Sequence, residues 1–272
     1  KTIKGNVDMA AGNIKFPGTV MVQGVVRSGF YVIATGDIKI AGGVEAALLS
    51  SDGDIVIKTG VKGAGKAVLR SRQRIMSSFV ELATLLAVGD IILKSACVRS
   101  KVKSNGKMSF QDERGRVVGG MVHVRNGLEA GSVGSPNGVT TRISFGQDYL
   151  IADMIEKEEK EIEKLKKRIS QTDIEMRNSE REGDNENLTK LRQNKVVLLK
   201  MLEKRGLRLF TLRERFEEHY PSEIMIRGTV HAGTVFESHG RVYEITRDRN
   251  GLNVQFNPTT GNIEVNDLSQ EQ

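Results

Sequence analysis

Gly60-Val61-Lys62-Gly63-Ala64-Gly65-Lys66 is the stretch whose spacing comes nearest to known chemistry. Two glycines five apart, followed by lysine, is the pattern of a loop that cradles phosphates on backbone N–H groups. Two neighbours remove that reading. Ala67 stands where a hydroxyl would bind Mg²⁺, and Ala67-Val68-Leu69-Arg70 continues as strand instead of opening a helix onto the phosphates. A glycine-rich corner between strands explains the stretch. His123, His219, His231 and His239 include no i,i+4 pair, and the lone Cys97 adds no cluster, so no metal ligand set is assigned. His231 and His239 could meet on neighbouring turns, but outward-facing strand or loop positions account for both. There is no Gly-x-Ser-x-Gly elbow. No catalytic, cofactor-binding or metal residue is expected, and the chain reads as a non-enzyme.

Charge offers a second candidate. The formal net charge is +7, and residues 1–148 alone carry 20 basic and 11 acidic groups. Lys94, Arg99, Lys101, Lys103 and Lys107 form one dense run, a candidate basic wall, with Arg70, Arg72 and Arg74 as another. Such a wall suits nucleic acid or an acidic partner. Interleaved aromatics that stack bases are missing, so a solvated outer face is the preferred reading and nucleic acid is not an expected partner.

The elements that carry these residues follow from a recurring phrase. Gly36-Asp37-Ile38-Lys39-Ile40, Gly53-Asp54-Ile55-Val56-Ile57 and Gly89-Asp90-Ile91-Ile92-Leu93 are three copies, with looser ones at Gly12-Asn13-Ile14 and Gly106-Lys107-Met108. The intervals give a period of 16 to 20 residues, which marks stacked repeats. Glycine turns the corner, the polar residue is expected to bond local backbone there, and Ile-x-Ile aims two apolar side chains to one face of a short strand. One coil cannot bury that face; a stack can. The expected fold is an all-β parallel β-helix with coils of about 17 residues. Parallel crossovers are right-handed as a rule, which makes right-handed winding the expectation, although hexapeptide solenoids wind the other way. Aromatics at 5% and an absence of Trp suit a thin aliphatic interior.

Residues 1–148 are read as solenoid and 149–220 as an antiparallel coiled-coil hairpin. Its first arm carries Ile151, Ile155, Ile162, Leu165, Ile169 and Met176, and its second Leu188, Leu191, Leu198, Leu202, Leu209, Leu212 and Phe216, both at heptad spacing around a Gly183-Asp184 turn. Val196, Val197, Leu199, Met201 and Phe210, with Leu207, lie off that seam and form a candidate protein-binding face. Residues 221–265 are read as a return to solenoid and a terminal cap, with Gly261-Asn262-Ile263-Glu264-Val265 as a further copy of the phrase, and 266–272 as a polar tail.

Phe16-Pro17-Gly18-Thr19-Val20 through Gly36-Asp37-Ile38, and Gly115-Arg116-Val117-Val118-Gly119-Gly120 followed by Gly134-Ser135 and the charged hairpin, resemble the flagellar assembly protein A family. The resemblance spans about residues 3–265. It implies a cytoplasmic bacterial protein of flagellar assembly or placement, with other cytoplasmic or flagellum-associated proteins as partners, and architectural kinship with the bactofilins. That family has a further N-terminal domain, and a chain beginning at Lys1 without methionine or signal peptide is expected to be a fragment. A polymer-forming bactofilin-like element and a solenoid acyltransferase are the alternatives. The drifting period argues against the strict hexapeptide repeat of the latter. No apolar run reaches the 18 residues of a membrane span, the single cysteine fits a reducing compartment, and a monomer or small closed oligomer is expected.

Overall fold

Strands of two to four residues open the chain, among them Thr2–Ile3, Ile14–Phe16, Val20–Val22, Tyr31–Ala34, Ile38–Ile40 and Leu48–Ser51. The computed structural model of the chain describes residues 1–268. Each strand pairs in parallel with the equivalent strand of the next coil, and β-branched residues suit this because their stiff side chains stack on a pleated surface. Coils advance by 16 residues, as from Ile75 to Ile91, to 21, as from Gly120 to Thr141. About eight turns result.

Three inward ladders form the core. The first climbs Val20, Ile38, Ile55, Ile75, Ile91, Met108 and Leu128. The second is built from valine, running Val26, Val44, Val61, Val80, Cys97, Val117 and Val133. The third climbs Ile14, Val32, Leu49, Leu69, Leu85, Val102, Val122 and Ile143. All of these side chains are buried. Cys97 therefore fills a valine slot, and burial pushes its thiol up to about 12, which leaves no thiolate at neutral pH. The ladders account for the scarcity of aromatics: three aliphatic rows meet in a space with no width for rings. The fully buried rings, Phe145 and Phe236, come at the end of the stack.

The corners hold the coils in register, and here the sequence reading needs correction. The polar residue of the phrase does not bond local backbone. Asp37 Oδ1 accepts from the Asp54 N–H at 3.1 Å, Asp54 Oδ1 from the Arg74 N–H at 3.0 Å, and Asp90 Oδ1 from the Lys107 N–H at 2.8 Å. Asn13 does the same for Tyr31. In a parallel stack the matching N–H lies one strand spacing away, about 4.8 Å, within reach of a short side chain. At two of these corners glycine makes room for that reach. A Cβ on Gly53 would stand 2.4 Å from Asp37 Oδ1, and one on Gly106 2.3 Å from Asp90 Oδ1. Ser51, Ser71 and Ser104 tie the same corners, donating to the carbonyls of Gly36, Gly53 and Gly89 at 2.6 to 2.7 Å.

Contacts divide the chain into two compact units, Leu150–Glu218 and the remainder on either side of it. After the helical unit the chain resumes the stack in register: Ile224 pairs with Leu128 and Phe236 with Ile143. The end differs from the expected further coil. Arg249–Asn257 runs antiparallel to Glu223–Val230, and Asn262–Asp267 antiparallel to Arg249–Asn257. Gly261-Asn262-Ile263-Glu264-Val265 is thus no copy of the coil phrase. The Gly261 N–H donates to the Asn257 carbonyl, Gly261 has a φ of +66°, and the Asn257 side chain caps the Thr259 and Thr260 N–H groups, which reverses the chain into a hairpin. Asn266 and Asp267, read as tail, belong to this last strand, and residues 269–272 lie outside those described.

Ile38→Ala, Ile55→Ala and Ile91→Ala should each cost roughly 2–5 kcal/mol, against about 1 kcal/mol or less for Asp37→Ala, as read by chemical denaturation. Gly53→Ala should destabilise the wild type far more than it does the Asp37→Ala background, where the obstructing oxygen is gone. Equal losses in both backgrounds would refute the coupling.

Candidate functional site

The glycine-rich stretch that mimics a phosphate loop lies at the start of strand Val61–Ser71, with a register shift between Lys62 and Ala67. A Cβ on Gly63 would meet the Leu82 carbonyl oxygen at 2.4 Å, so its glycine admits the adjacent coil and not a ligand. The histidines separate. His231 Nδ1 is 2.9 Å from Asp248 Oδ2, and Asp248 also accepts from the Ala232 N–H. That backbone bond, then the His231 bond, lowers the Asp248 carboxyl below its ordinary range. His239 instead stacks on Phe256, ring centroids 4.3 Å apart, with His219 at 5.8 Å. Among the described residues no group of three or more His, Cys, Asp or Glu is placed to hold a metal.

The basic run does not form one wall. Lys101 and Lys103 flank Val102 on the outer face of the third ladder, in register with Met121 and His123. Lys94 follows Leu93 on the first-ladder side, edging a shallow groove of about 160 Å³ with Val56, Met76 and Ile92. Arg99 sits on a left-handed corner, φ 44°, beside Leu82 at 49° and Gly119 at 66° in the adjoining coils. Lys107 is paired to Glu129 at 3.0 Å. A winding chain turns neighbours in sequence onto different sides.

Elsewhere a corner carries charge. Arg74 Nη2 lies 2.7 Å from Asp54 Oδ2, and that bond, reinforced by the Arg74 N–H, holds the Asp54 carboxyl below its ordinary 3.8. The folded state therefore binds the proton less readily than the unfolded chain, so the stabilisation is complete above about pH 4 and lost as pH falls through the lowered value. Asp54→Asn should be less stable than wild type at pH 7, and the gap should narrow in acid denaturation series below pH 3.8.

The helical unit holds α1, Tyr149–Glu182, and α2, Asn185–Phe216. Gly183, with φ +75°, and Asp184 make the turn, and the Asp184 carboxylate caps α2 by accepting from the Asn187 N–H at 3.0 Å. Cross-helix ion pairs run antiparallel: Arg192 to Glu180, Lys195 to Asp173, Arg213 to Glu159. The apolar seam residues are buried or half-buried as expected, and the gaps of seven between them are occupied. Glu158, Thr172 and Ser179 take the empty seam positions of α1, and Lys195 and Arg205 those of α2. Glu158 has a side chain only 4% exposed, 2.7 Å from Arg205 and 3.4 Å from Arg208. An apolar pattern passes over such residues; a missing heptad position filled by opposite charges on the two arms is the signal that finds them. A buried polar layer costs stability and selects register, because any slip leaves the charge unpaired.

The five residues read as one binding face divide into two. At about 100° per residue, Val196, Leu199 and Phe210 share a stripe with Leu207, while Val197 and Met201 fall on the other flank of the seam. Met201 there lines a groove with Glu158, Lys204, Arg205 and Arg208. All six apolar side chains are exposed. No helix among the described residues is long and apolar enough to cross a membrane.

A β-solenoid of drifting period, interrupted by a charged helical hairpin and resumed in register, defines the class of protein. Residues 1–263 match the model of the Flagellar Assembly Protein A β-solenoid domain, and the chain belongs to that family. Neither a curated protein nor a solved structure matches it.

Arg205→Ala should destabilise the hairpin, though by less than the roughly 3–5 kcal/mol of a fully stranded buried charge, since Arg208 remains. Glu158→Leu with Arg205→Leu should recover or exceed wild-type stability in thermal melts. A double variant weaker than Arg205→Ala would count against this.

Proposed function

We infer that the protein is a non-enzymatic scaffold of bacterial flagellar assembly or placement, acting in the cytoplasm by binding other flagellum-associated proteins. Family membership supports the flagellar role. The observation that carries the scaffold reading is the set of large apolar side chains α2 leaves in solvent, among them Val197 and Met201. The seam alone closes the hairpin, so these positions are surplus to folding, and exposed apolar surface of this kind marks a protein-binding site. The solenoid offers a stiff platform, its inner faces wholly consumed by stacking, and the hairpin a coiled-coil arm with its register pinned at Glu158. The antiparallel strands over the last coil favour a closed particle over a bactofilin-like filament, because they cover the edge on which a further coil would add.

In the flagellated host, Val197→Asp with Met201→Asp should leave the protein folded, with unchanged circular dichroism and cellular level, and remove or misplace flagella. Normal flagellation by this variant would overturn the reading.

A further inference from the structure

The second exposed stripe of α2 has a symmetry that folding of the hairpin does not require. Val196, Leu199, Leu207 and Phe210 are 52%, 45%, 66% and 61% exposed. With Glu203 they recur at spacings of 3, 4, 4 and 3, which keeps them in a band of about 80° on the helix. That band lies well away from the seam of Leu198, Leu202 and Leu209. The order reads the same in both directions about Glu203: Leu199 and Leu207 stand four residues either side, Val196 and Phe210 seven, Arg192 and Glu214 eleven. The outermost pair falls on the same stripe and carries opposite charges.

From this we propose that α2 is the two-fold interface of a homodimer, packing antiparallel on the α2 of a second copy with the axis at Glu203. A two-fold contact brings each residue of one copy to the position that mirrors it in the other. Val196 then meets the second copy's Phe210, Leu199 its Leu207, and Arg192 its Glu214, twice over. The 3-4-4-3 spacing is that of any heptad stripe; the opposite charges at mirrored positions, Arg192 and Glu214, are what a second copy answers. From Arg192 to Glu214 the contact is about 33 Å long at 1.5 Å per residue, enough for two apolar layers on each side of the axis to be covered, closed at both ends by ion pairs. Glu203 meets its own copy at the axis. That like-charge contact opposes the apolar layers and holds the affinity down, which leaves the dimer reversible. The interface is separate from the Val197 and Met201 flank, so a dimer and a bound flagellar partner are compatible on one helix.

The test uses the full chain and a probe the protein allows. Cys97 is buried in the valine ladder with its thiol pushed up to about 12, so an introduced cysteine reports alone. Under mild oxidation Glu203→Cys is expected to give a disulfide-linked dimer, and Val197→Cys to stay monomeric. In sedimentation equilibrium Glu203→Leu should tighten the dimer by on the order of tenfold, about 1.4 kcal/mol. Leu199→Asp with Leu207→Asp should leave a folded monomer. Arg192→Glu should weaken association, and adding Glu214→Arg should restore it; the exposed Arg192–Glu180 pair within one chain is not rebuilt by that second change, so rescue reports contact between copies. A wild-type chain that stays monomeric up to concentrations of about 100 μM, in the weak-binding range, would overturn the proposal. So would cross-linking at Val197→Cys as ready as at Glu203→Cys, or a double charge reversal that fails to rescue.

Discussion

Everything in the solenoid depends on one distance, the spacing of about 4.8 Å between parallel strands. At that spacing an inward side chain has another of its own kind above and below it, so each coil must repeat the aliphatic choice of its neighbour. The same spacing brings the next coil's backbone N–H within reach of a one-carbon carboxylate or amide. Asp37, Asp54 and Asp90 use it; Asp37 and Asp90 reach past a glycine of the next coil, Gly53 and Gly106, while Asp54 reaches the Arg74 N–H with Gln73 in that place. Asp37 and Asp90 occupy the space that Gly53 and Gly106 leave. Gly36, Gly53, Gly89 and Gly106 are needed for close approach, not for a left-handed φ.

This construction also tolerates the helical unit. A parallel coil asks only that its strand land on the strand before it, wherever the intervening chain has been. Ile224 lands on Leu128 and Val230 on Val133 after the whole of α1 and α2. The stack is then closed by a change of strand direction, the antiparallel return of Arg249–Asn257 along Glu223–Val230, which meets the backbone groups a further coil would have used. Function on such a frame has to sit outside the ladders, since no inward position is free. The outer faces of α2 carry six large apolar side chains that folding leaves exposed.

The two units pair their polar groups by different logic. In the solenoid, Asp37, Asp54 and Asp90 serve backbone N–H groups at half-buried corners, where a lost bond is partly replaced by water. In the hairpin, Glu158 is taken almost wholly out of solvent and answered by Arg205 and Arg208. A slip of one arm along the other would part Glu158 from both arginines, so the cluster acts on register more than on stability.

The fold was legible in the sequence because its determinants are local and repeated: Gly-Asp-Ile-x-Ile sets a corner, a reach and an inward pair within five residues, and the heptads set two helices and their turn. Position along a regular element is arithmetic, so the exposed residues of α2 were also readable one by one. What only the tertiary structure decided are the relations between distant residues. The partner of Asp37 is 17 residues away on the next coil, and the sequence could not show whether its oxygen turns inward to its own corner or upward. Gly261-Asn262-Ile263-Glu264-Val265 has the letters of a coil, yet the turn at Asn257 reverses the chain and makes it an antiparallel strand. Lys94, Arg99, Lys101, Lys103 and Lys107 are close in sequence and parted in space, because a coil of under twenty residues turns through all three sides. Glu158 and Arg205 meet across 47 residues for the opposite reason, since an antiparallel hairpin brings together positions equally far from its turn. Local pattern carries what one coil or one helix turn can specify; contact between coils and between arms requires the stack and the hairpin to exist.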